Sequence, residues 1–151
     1  RLLVSDEPLV PNSWSPDASF LLHMRVDPLA NADLYIVPMA GNPVPAVFLK
    51  TSFREAWGAL SPDGRWVAYN SNESGRSEVH LQRFVLPAAT STVAESVGNR
   101  WQVSAMGGIH PAWRPDGKEL YFLNPAGEMM AALITVNGSS LEIGTPKVLF
   151  Q

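Results

Sequence analysis

Apolar residues along this chain come in short runs, and each run is closed off by a turn. Phe20-Leu21-Leu22, Trp66-Val67-Ala68-Tyr69 and Leu120-Tyr121-Phe122-Leu123 are the strongest of them. Each follows a Pro-Asp turn: Ser15-Pro16-Asp17-Ala18, Ser61-Pro62-Asp63-Gly64 and Arg114-Pro115-Asp116-Gly117. Proline presets φ at the first central turn position. Aspartate bonds local N–H groups, and glycine takes the positive-φ place that closes a hairpin. The 13 prolines and 11 glycines are spread through the chain. Long helices do not fit between them, so the pattern predicts short strands throughout.

The three aspartates lie 46 and 53 residues apart, a repeat length that signals a propeller or a solenoid. Each copy reads as four strands. The first ends at Trp14, Leu60 or Trp113, and the second is the apolar run, which loses in/out alternation because both sheet faces are covered. The third is Asp33 to Val37, Glu78 to Phe84 or Glu128 to Val136. The outer one is Val47-Phe48-Leu49, Trp101-Gln102-Val103 or Lys147-Val148-Leu149-Phe150. The predicted fold is all-β, a β-propeller portion of three four-stranded antiparallel blades at 9–50, 56–104 and 108–151. Residues 1–5, around Leu2-Leu3-Val4, read as the outer strand of a preceding blade. Pro87 to Asn99 reads as an extended loop. Three blades do not close a ring, since propellers use about 4–8. The expectation is a homodimer completing a six-bladed ring, or further blades outside this segment.

A formal charge of −3 over 151 residues argues against a nucleic-acid partner, whose phosphate backbone would need a basic face. There are no cysteines, which excludes thiol catalysis, disulfides and cysteine-held zinc. No apolar run approaches the ~18 residues of a membrane span, so direct membrane insertion is not expected. Nucleophile elbow, Walker lysine loop and His-Glu-x-x-His motifs are all missing. Gly107-Gly108 is too short for a phosphate loop and reads as a turn.

The recurring Trp-Ser-Pro-Asp signature, with Phe53 to Gly64, Tyr69 to Arg76, Trp101 to Gly108, Trp113 to Leu123 and the Gly144-Thr145-Pro146 ending, resembles the WD-like repeat of TolB-type propellers. It is similar in particular to propeller modules at the C-termini of bacterial multidomain proteins, including eukaryotic-like serine/threonine kinases. The resemblance covers essentially the whole chain. It implies a protein- or ligand-binding role, and a periplasmic or extracytoplasmic setting. Three positions depart from the pattern: Ala18 for glycine, Arg114 for serine and Leu60 for tryptophan.

Asp17, Asp63 and Asp116, with Gly64 and Gly117, are assigned to turn structure rather than to acid chemistry or metal binding, because their places in the three copies are equivalent. Trp14 and Trp113 are expected to anchor blade cores. His23, His80 and His110 have no metal-ligand spacing, and packing or surface roles are expected of the first two. Trp57 aligns with Pro11 and His110 where first strands enter the ring from its loops. Arg54 and Glu55 precede Trp57 in the same connection, either as a surface pair or at the channel mouth. The expected binding surface is therefore Asn12, Arg54, Glu55, Trp57 and His110, with no catalytic residue, metal or cofactor. The function read from this is a non-enzymatic interaction or ligand-sensing module whose partner is a protein or a small ligand. The alternative is the substrate-gating propeller of a prolyl oligopeptidase-like hydrolase with its catalytic domain elsewhere.

Overall fold

The computed structural model describes residues 7–27, 31–41, 44–85, 99–138 and 140–150. The expected strand at 1–5 and nearly all of the loop from Pro87 lie outside the described residues. Strands β1 (Leu9–Trp14), β2 (Phe20–Val26), β3 (Ala32–Pro38) and β4 (Ala46–Leu49) form one antiparallel sheet in chain order. β5 (Glu55–Leu60), β6 (Trp66–Ser71), β7 (Glu78–Arg83) and β8 (Arg100–Gln102) form the second. The third holds β9 (Ile109–Trp113), β10 (Glu119–Leu123), β11 (Met129–Asn137), β12 (Ser140–Ile143) and β13 (Lys147–Phe150). The fold is an unclosed set of propeller blades.

The third sheet corrects the predicted outer strand. β12 pairs with Ile134–Asn137 and β13 with Met129–Ala131 of the same β11. The fourth strand is thus longer than expected and is broken at Gly144-Thr145-Pro146. Pro146 has no N–H to give the ladder, and the register steps across the break.

The three Pro-Asp turns are built alike. In the second, Gly64 N–H donates to Ser61 O at 2.8 Å, while Asp63 accepts from Ser61 Oγ at 2.5 Å and from Arg65 N–H at 3.1 Å. In the first, Asp17 accepts from Ser15 Oγ at 2.7 Å and from Ser19 N–H at 3.0 Å. These bonds, the one from Ser15 above all, hold the Asp17 carboxyl down at about 2. In the third, Arg114 replaces serine and reaches Asp116 through its own guanidinium at 2.9 Å, so the departure keeps the aspartate bonded. Gly64 and Gly117 have φ of 69° and 73°, and Ala18 sits at 54°. A Cβ at this angle costs about 1–2 kcal/mol. Ala18→Gly is therefore expected to stabilise by about 0.5–1 kcal/mol after the looser unfolded chain is counted. Gly64→Ala and Gly117→Ala are expected to lose a similar amount. Thermal melts of the three variants check this, and equal melting points would show the angle to be unstrained.

The hydrophobic cores lie between blades rather than within them. One joins Phe20, Leu22, Met24, Leu34, Ile36 and Phe48 of blade one to Val67, Tyr69 and Phe84 of blade two. The other joins Trp66, Ala68, Val79 and Leu81 of blade two to Leu120, Phe122 and Ile134 of blade three. Alternate residues of β6 thus feed opposite cores, and every residue of β6 is buried. In β10 the cover is one-sided and alternation returns: Leu120 and Phe122 are buried while Tyr121 and Leu123 are half-buried. Gly58 lets the blades approach closely, because a Cβ on it would meet Leu22 Cδ2 at 2.6 Å and the leucine would have to shift.

Trp113 packs at the second junction and donates its indole N–H to Ala59 O at 3.1 Å, as an anchor should. Trp14 does not: it is 54% exposed, on the side of blade one facing away from blade two. Leu133 at 60% and Phe150 at 63% are exposed on blade three. The expected second copy concerns contacts at these outer faces.

Candidate functional site

Each first strand carries a β-bulge at the same place. Register slips between Pro11 and Ser13 in β1, between Ala56 and Ala59 in β5, and between the partners Ile109 and Ala112 in β9. Trp57 and His110 occupy the bulges of β5 and β9 with φ of 57° and 56°. For the bulky Trp57 a positive φ is a genuine outlier that costs about 1–2 kcal/mol, whereas histidine visits this region more readily than most residues. Proline cannot adopt it, so in β1 Pro11 stays paired with His23 and Asn12 becomes the extra residue.

The strained pair is used for contact. The Trp57 and His110 rings stack with centroids 4.4 Å apart and planes 23° from parallel. Trp57 is half-buried against the first core, and His110 is exposed. Together with Asn12, Gly58, Ala59 and Pro111 they line a hollow of about 140 Å³, the size for one side chain. The Asn12 Oδ1 is buried there without a hydrogen-bond partner.

The structure thus brings together three of the five expected binding residues, one from each blade. Arg54 and Glu55 stand apart from the hollow. Arg54 is exposed, and its N–H donates to Asn72 Oδ1 at 2.9 Å. Glu55 is 1% exposed and accepts from Thr51 Oγ1 at 2.7 Å and Ser71 Oγ at 3.3 Å. Burial pushes its carboxyl up, against those two bonds. The reading of Arg54 and Glu55 as a surface pair is overturned, because a buried carboxylate is not available to water.

Two features escaped the sequence reading. Acids stand at equivalent places around the start of the third strands: Asp33, Glu78 and Glu128. Lys50 holds Asp33 at 3.3 Å, and Asn124 Nδ2 holds Glu128 at 2.7 Å. Glu78 is fully buried and ties the third strand of blade two to the connection that leads into blade three. It accepts from Arg76 Nε at 2.6 Å, from Ser104 Oγ, and from Gly107 N–H at 3.0 Å. The equivalence was visible once the predicted third strands were aligned by their first residues.

The second feature is a cross-strand pair of tyrosine and histidine. His23 faces Tyr35, and Tyr69 faces His80, each with centroids 5.8 Å apart. The order is swapped between blades. Both imidazoles are buried with neither nitrogen hydrogen-bonded, so packing is their role. Among the described residues no group of three or more acids or histidines could hold a metal ion, and no helix is long and apolar enough to cross a membrane.

No protein-family profile and no curated protein sequence matches this chain. Solved structures do. The putative TolB from Agrobacterium tumefaciens aligns with 96% of this chain and 52% of its own, at 18% identity and a TM-score of 0.66. TolB from Acinetobacter baumannii aligns with 99% of this chain and 46% of its own, at 13% identity and a TM-score of 0.42. The chain spans about half the length of these solved structures. The first likeness makes the fold that of a TolB-type β-propeller.

Proposed function

We propose that this chain is a non-enzymatic protein-interaction module whose contact site is the hollow at Asn12, Trp57 and His110, working outside the cytoplasm as the TolB-type fold suggests. The observation that carries the reading is the stacked Trp57–His110 pair held at positive φ on two adjacent blades. Strain of this kind persists where the surrounding structure fixes it, and it clusters at ligand clamps. Bulges at such places re-aim side chains. The hollow offers a flat ring surface and no carboxylate, lysine or arginine, which suits a side chain of a protein partner. The ionisable groups that burial shifts most, His23, His80 and Tyr69, line neither this hollow nor the grooves beside the Pro-Asp turns. That supports binding rather than acid–base catalysis.

Photo-cross-linking tests this. A benzoylphenylalanine placed at His110, in the cell of origin, is expected to capture a discrete protein, and Trp57→Ala is expected to abolish the capture. The same probe at Glu142 is expected to capture nothing in common. His110→Gly should leave the melt within about 0.5 kcal/mol, because lost stacking and relieved strain offset each other. Identical adducts from both probe positions would overturn the assignment.

A further inference from the structure

A second groove, of about 590 Å³, lies at the junction of blades two and three. It sits at the turn ends of β5 and β9, at the far end of β9 from His110. Trp66 and Trp113 form its floor. The turns at Asp63 and Asp116 flank one side, and β11 from Leu133 to Val136 forms the other.

The matching place between blades one and two measures only about 270 Å³. There Phe84 reaches across the junction, stacks on Phe20 at 5.0 Å and tilts against Phe48 at 5.5 Å. Its counterpart in blade three is Ile134. Phe84 N–H donates to Arg65 O and Ile134 N–H to Lys118 O, each one residue past the glycine of its turn. The groove is the space that an aromatic ring fills one junction earlier.

The same strand offers backbone. β10 begins at Glu119, opposite Leu133, whereas β11 runs on to Asn137 with β12 along its outer edge. Ile134 directs its N–H inward, toward the turn. Alternation along an antiparallel strand points the Val136 N–H and C=O the same way. Among the described residues no strand pairs with this edge.

We propose that this groove binds an extended peptide segment of a partner protein. The segment adds as a short strand to the free edge at Val136 and lays an aromatic side chain over Trp66 and Trp113. Backbone pairing at a sheet edge supplies affinity, and the pocket for one side chain supplies selectivity. The site is separate from the Trp57–His110 hollow and does not depend on it.

The test is a random heptapeptide phage library panned on the folded chain. Enriched sequences are expected to share one aromatic position. A fluorescent synthetic copy of the best is expected to lose at least about tenfold in affinity against Ile134→Phe, which fills the groove. It should lose as much against Val136→Pro, which removes the inward N–H and leaves the β11–β12 ladder intact. Val136→Ala keeps the N–H and should keep binding. Melting curves of each variant report folding. Peptides without a shared aromatic, or undiminished affinity for Ile134→Phe, would overturn the proposal. So would binding that disappears with His110→Gly, a result that leaves the first site standing.

Discussion

Glu78→Ala is expected to destabilise the chain by about 3 kcal/mol, because the carboxylate accepts from two buried donors, Ser104 Oγ and Gly107 N–H, where blade two passes into the connection to blade three. Its side chain is 0% exposed. Removing it leaves the Gly107 N–H and the Ser104 hydroxyl without their acceptor. Arg76 is half in solvent and re-solvates at little cost. For a chain of this size the loss corresponds to about 6–12 °C in melting temperature. Glu78→Gln retains one acceptor oxygen and should lose roughly half as much. Amide exchange at Gly107 and Gly108 should rise before the rest of the protein in the alanine variant. A melting point within 2 °C of wild type would show that packing alone holds the junction.

Acid is expected to destabilise the fold between pH 6.5 and about 4, and the two buried histidines are the cause. Burial first, and Arg25 second, hold His23 down at about 4. Burial first, and Arg100 second, do the same for His80. Unfolded, each ring takes a proton near 6.5. Within that window the unfolded chain binds more protons than the folded one, so stability falls as pH falls. Each histidine contributes about 2 kcal/mol to the loss, allowing for screening where water approaches the strand ends. Glu55 works in the opposite sense. Its raised carboxyl favours the folded state in acid and gives that up as pH rises. Below pH 4 the lowered aspartates of the turns, Asp17 first, add further loss. Blade three shows what to put in place of the histidines. Phe122 and Met130 occupy the equivalent cross-strand positions, so His23→Phe with His80→Met is the natural double variant. Urea melts across this pH range should show its acid loss cut to less than half. An unchanged profile would place the titrating groups elsewhere.

The repeat was legible in the sequence because the Pro-Asp turn carries its own geometry in residue type. The turn fixes where the first two strands of each blade meet, and even the odd alanine at Ala18 takes the angle its position requires. What escaped was geometry that no residue type announces. Glycine is the ordinary signal for positive φ. At the β5 bulge it stands one place later, at Gly58, at the β9 bulge that place is Pro111, and the positive φ falls on Trp57 and His110. Those two were singled out by aligning the copies, which shows that equivalence in the repeat carried information that propensity did not. Glu55 and Trp14 misled for one shared reason. Local sequence gives the strand and its phase, whereas exposure depends on which neighbouring blade covers each face.

Because the cores lie between blades, each blade carries two unlike halves of a joint, one facing back and one facing forward. Such a joint is directional, like a plug and socket, and the same unit can be copied in series without inventing a new surface. The cost is that neighbouring joints drift separately. Phe84 at one and Ile134 at the next have already diverged, so a lineage that grows by copying blades acquires a distinct seam at each step, and with it a distinct place for something else to lodge.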